Sequence, residues 1–138
     1  MTLQTVRDYI ASLGIASDDH CYMGKLDNKK EQSIGVYKLK RDGSPKIPIG
    51  GMENTTYGIY PVSLLVHWDQ SPRNTETAAV KLFETLRDIR NVTAGDTTIK
   101  FCQLLVPDPV DVGTDDAGVY EMVIEALIYY ERQVKKYG

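Results

Sequence analysis

Residues 120–130, "YEMVIEALIYY", alternate with a period of two, and this places the tightest constraint on what the chain can become. Tyr120, Met122, Ile124, Ala126, Ile128 and Tyr130 share one side of an extended backbone, while Glu121, Glu125 and the following Glu131 interrupt the other. On a 3.6-residue period the six apolar positions would scatter around a helix, so the stretch predicts a strand. One apolar face with charges opposite is the pattern of a half-buried antiparallel strand. Such a strand needs a partner on each side and an apolar layer to cover its buried face.

Two segments can supply that layer. Leu3, Val6, Tyr9, Ile10 and Leu13 recur at helical spacing, with Thr2 placed to cap the start and Gly14 to end it. After "SPRNTE", where Asn74 or Thr75 offers a cap, Ala79, Leu82, Phe83, Leu86 and Ile89 form a second stripe. Partner strands are also legible. In residues 57–69, Tyr60, Val62, Leu64, Val66 and Trp68 share one face, with Pro61, Ser63, His67 and Asp69 opposite. Pro61 requires the start of that strand or an unpaired edge. Residues 20–26 and 33–40 flank the polar "DNKKEQ" and predict a hairpin, and "NVTAGDTT" predicts another between 91–93 and 98–106. The economical arrangement is α+β: two layers, a mainly antiparallel sheet with two helices packed on one face, and a protruding long loop, "RDGSPKIPIGGMENT", in one domain over 1–138.

Composition narrows the function. A length of 138 residues is enough for a core without staples, and a net charge of −3 is not that of a nucleic-acid binder. The start "MTLQTVRDYIASLG" has neither the basic nor the apolar region of a signal peptide, and no apolar run approaches the ~20 residues of a membrane span, so a soluble protein made in the cytoplasm is expected. Cys21 and Cys102 are too few and too far apart for a zinc pattern and are expected to be reduced, buried thiols. Nine tyrosines against two phenylalanines suit half-exposed strands and subunit contacts.

Catalytic signatures are lacking. His20 and His67 are the only histidines, and His67 falls on the polar face of its strand, which predicts a surface or hydrogen-bonded side chain. The sequence has no nucleophile elbow and no H-E-x-x-H, and Gly50-Gly51 lacks the Lys-Ser/Thr of a phosphate loop. The acids Asp108, Asp111, Asp115 and Asp116 are the one place where a metal-dependent hydrolase could be built. Their spacing fails the calcium-loop pattern and strands flank them, whereas Asp with Gly supplies turn hydrogen bonds. A structural turn leading into the core strand is therefore expected, with no catalytic, metal or cofactor residue.

Charge is partitioned along the chain. Lys25, Lys29, Lys30, Lys38, Lys40, Arg41 and Lys46 face three acids within residues 25–46, whereas residues 107–131 hold seven acids and no cation. These blocks are either two solvated faces or complementary halves of a head-to-tail contact, the arrangement that closes rings. The expected interface comprises Lys25, Lys29, Lys30, Lys38, Lys40 and Arg41 against Asp108, Asp111, Asp115 and Asp116. The long loop adds Ile47, Ile49 and Met52, hinged by Gly43, Gly50 and Gly51, and is expected to order against a neighbour.

Three stretches, "YMGKLDNKKEQSIGVYKLKR", "IPIGGMENTTYGIYPVSLLVHWDQSPRNTETAA" and "CQLLVPDPVDVGTDDAGVYEMVIEALIYYER", resemble the minor capsid proteins of tailed phages and prophages of Gram-positive bacteria. These are similar to the tail terminators of long-tailed phages, and the resemblance covers roughly residues 5 to 132. It implies a structural virion protein of the tail or neck rather than an enzyme. Its partners would be copies of itself in a hexameric ring, the tail tube protein and the head connector or neck protein, with no membrane. DNA would pass through the lumen without specific binding, which an acidic lumen favours because it does not hold phosphates. A head-completion or connector-adaptor role is the alternative that the same resemblance leaves open.

Overall fold

The computed structural model of the protein describes residues 1–24, 30–40 and 57–132. Thr2 caps helix α1 (Leu3–Ser12) as expected, its hydroxyl accepting from the Thr5 N–H at 3.2 Å. Gly14 then turns the chain with φ of +72°, a conformation that costs glycine little. Helix α2 (Pro72–Arg87) starts earlier than expected: the cap is Ser71, not Asn74 or Thr75. Pro72 is the reason, because its fixed φ suits the first helical position, where no N–H is needed. Ser71 Oγ accepts from the Asn74 N–H, and Asp69 in turn accepts the Ser71 N–H at 2.8 Å. Thr75 lies within the helix, buried, its hydroxyl donating back to the Ser71 carbonyl.

Seven strands form one sheet among the described residues. They are β1 (Cys21–Met23), β2 (Ser33–Lys38), β3 (Tyr57–His67), β4 (Val92–Ala94), β5 (Thr97–Leu104), β6 (Val110–Thr114) and β7 (Tyr120–Arg132). The order is β1-β2-β3-β7-β5-β4, with β6 also on β7. β7 is central, paired with β3 from Tyr57↔Glu131 to His67↔Glu121. Along its other side β5 and β6 lie end to end, both antiparallel to it. The hairpin β4–β5 forms as expected around Gly95 at φ +62°.

Two expectations are corrected. β1 and β2 do not make a hairpin; they pair in parallel, Cys21 with Ile34 and Met23 with Val36. The Ser33 end of β2 is fixed by β3, so the chain must return to the start of β1 before it can pair. The acidic stretch is also not purely a turn, since Val110–Thr114 pairs with β7. Pro61 lies inside β3 yet meets the expected condition. Its carbonyl accepts from the Leu39 N–H just past the end of β2, so its ring nitrogen faces the side where that ladder has run out. The predicted loop contacts at Ile47, Ile49 and Met52 lie outside the described residues.

Burial follows the alternation. Val62, Leu64 and Val66 of β3 and Ile124, Ala126 and Ile128 of β7 join Val6 and Ile10 of α1 and Ala79, Leu82, Phe83 and Leu86 of α2 in one cluster. α1 lies over β1, β2 and β4, and α2 over β3, β5 and β7, so both helices cover the same face. Cys21 and Cys102 are free and buried. Burial raises the Cys21 thiol and pushes Cys102 up to about 12. Only the thiolate reacts, so at pH 8 the folded protein should resist maleimide at both positions and take up two labels once unfolded. Rapid labelling of Cys102 in the folded protein would show that the layer between β5 and the helices opens.

Candidate assembly interface

The opposite face of the sheet carries no described helix, and strand register arranges its side chains in rows. Ile59, Tyr129 and Phe101 form the first, where the Phe101 and Tyr129 rings stack at 4.3 Å between centroids. Pro61, Leu127 and Gln103 follow, and the Tyr129 hydroxyl donates to Gln103 at 3.0 Å. The middle row is Tyr37, Ser63 and Glu125; Leu65, Val123 and Val110 come next, and His67 with Glu121 closes the face. An antiparallel sheet usually presents polar side chains on its solvent face. Here Ile59, Phe101 and Val110 remain 36%, 41% and 44% exposed. Sequence reasoning missed this face, although Ile59, Leu65, Val123 and Leu127 occupy the positions taken to be polar.

His67 meets the hydrogen-bonded half of its expectation, but it is buried rather than superficial. Its Nδ1 lies 3.0 Å from Glu121 Oε2, and its Nε2 lies 3.7 Å from Asp115 Oδ2. Asp115 organises the turn that leads into β7. Its Oδ1 accepts the N–H groups of Ala117 and Val119, each at 2.9 Å, and Gly118 takes φ of +81°. Asp111 does the same on a smaller scale, accepting the Gly113 N–H at 2.8 Å. These acids serve as turn acceptors. The two carboxylates at His67 meet opposite ring nitrogens and cannot share an ion through one of them. Among the described residues no three His, Cys, Asp or Glu side chains are grouped to hold a metal.

The remaining expected residues do not share one side of the sheet, since Asp111 pairs with Met122 of the helix-covered face. Asp108, Asp111 and Asp116 are exposed, whereas Asp115 turns inward. Lys30, Lys38 and Lys40 are exposed, and Lys38 Nζ sits 5.0 Å from the centroid of the Tyr60 ring, a cation–π contact. Tyr60 belongs to the helix-covered face, so Lys38, the one lysine of β2, lies across the sheet from Glu121 and Glu125. Lys25, Lys29 and Arg41 lie outside the described residues.

An apolar sheet face that no described helix covers is the kind of surface through which proteins contact one another. The chain matches the bacteriophage tail terminator protein family over residues 9–132 and belongs to that family. No curated protein matches it. Membership makes it a structural component of the phage virion that acts by contact with other tail or head proteins. Among the described residues no helix is long and apolar enough to cross a membrane.

Proposed function

We propose that the protein ends tail-tube growth. Copies close a hexameric ring on the last layer of tube protein, stop its polymerisation and present a surface to the head connector, while DNA passes through the lumen unheld. The observation that carries this reading is an apolar sheet face, free of helices among the described residues, in a family member whose Glu121 and Glu125 sit on that face and whose Lys38 sits on the other. Separated patches of opposite charge suit a contact that repeats head to tail.

The test adds the protein to polymerising tube protein and measures tube lengths by electron microscopy. Tubes should shorten and carry a ring at one end. The effect should weaken as salt rises past ~0.15 M, where exposed charges are screened. The double substitution Lys29→Glu, Lys30→Glu should lower ring occupancy with an unchanged circular dichroism spectrum. Unaltered tube lengths, with the protein found only on the connector, would replace the terminator role by a neck role.

A further inference from the structure

We infer that the helix-free face centred on Glu125 is a docking surface for a second copy of this chain, which enters head to tail with the lysine-bearing end of β2 and not face to face. The inference rests on the ring reading above and assigns its contact.

Size is the first support. From Ile59 to Leu65, at ~3.3 Å per residue and ~4.8 Å between strands, the accessible rows span about 20 Å by 20 Å, roughly 400 Å². A stable complex covers ~800 Å² on each partner, so this face supplies about half of one side.

Charge fixes the orientation. Glu125 stands in the middle row, between Val123 and Leu127 along β7, with no cation within ion-pair distance among the described residues. Among the described residues the one lysine found at the face, Lys100, is engaged at a corner with Glu131 at 3.6 Å. A two-fold axis through the centre of the face would bring Glu125 against its own copy. Like charges placed together at an interface are strongly disfavoured. The face therefore calls for a positive surface other than itself.

Lys38 and Lys40 provide one. Both are exposed, and neither has a carboxylate within ion-pair distance among the described residues. The cations of α2 suit the role less well. Arg73 and Lys81 are interleaved with Glu76 and Glu84 on one helix face, and Arg87 is held by Asp88 at 3.3 Å. Because Lys38 at the end of β2 and the open face lie on opposite sides of the sheet, each contact leaves one of each free, and the contact can repeat.

Two variants separate the possibilities. Phe101→Glu disables the open face at an exposed position, and Lys38→Glu with Lys40→Glu disables the basic end; circular dichroism verifies that each folds. In sedimentation at high concentration each alone should lose every species heavier than monomer. Their mixture should give a 1:1 dimer that grows no further, because one intact contact remains. A dimer formed by the lysine variant alone would establish face-to-face packing and overturn the inference. So would a mixture that stays monomeric, or wild-type assembly by Phe101→Glu. Wild-type protein that stays monomeric both alone and with tube protein would instead remove the ring reading.

Discussion

Ile124→Asp is expected to leave the chain without a folded state. Ile124 is 0% exposed, lies opposite Leu64 on β3, and shares its face with Ala126 and Ile128. An aspartate there would lose its hydration with no cation in the cluster to replace it. Burying an unpaired charge costs far more than a lost methylene, and a domain of this kind has only about 5–15 kcal/mol to lose. Urea titration followed by circular dichroism should show no cooperative transition. A transition weakened by less than ~2 kcal/mol would mean that the position reaches water.

Phe83→Ala should fold but lose about 3–5 kcal/mol, the usual range for truncating a buried aromatic. Phe83 is 8% exposed, and its neighbours on the stripe, Leu82 and Leu86, are buried more completely. Helix α2 has 16 residues, close to the length at which isolated helices are marginal, so packing of this stripe rather than propensity holds it. For a chain of this size the loss corresponds to a fall in Tm of roughly 10–20 °C. A loss below ~1 kcal/mol would place the stripe away from the core.

Much of this core was readable because it rests on periodicity. Ile124, Ala126 and Ile128 are buried as their alternation predicts, and Leu82, Phe83 and Leu86 as their helical spacing predicts. What escaped was set by neighbours distant in sequence. The parallel pairing of Cys21 with Ile34 follows from where β3 holds β2, and nothing within residues 20–40 expresses it. β6 is five exposed residues whose burial does not alternate, so its turn chemistry hid its pairing. The helix cap was within reach, since Ser71-Pro72 is a start signal.

The assembly surface was legible only in part. Both charge blocks could be read along the chain, yet their relation across the sheet needs the register that places Glu125 beside Ser63. Asp115 shows how acidic residues mislead. Grouped by sequence with Asp111 and Asp116, it is taken up by Ala117, Val119 and His67 inside its own turn.

The place of β7 bears on how the protein is made. It follows every other described strand in the sequence, yet it lies between β3 and β5. A ribosome therefore releases β3 long before the strand that joins it to β5. Contacts between segments so far apart form slowly, and unpaired strand edges recruit other chains. A nascent chain stopped short of Tyr120 has no centre to its sheet, so a truncated copy is expected to aggregate or be degraded and not to enter a virion.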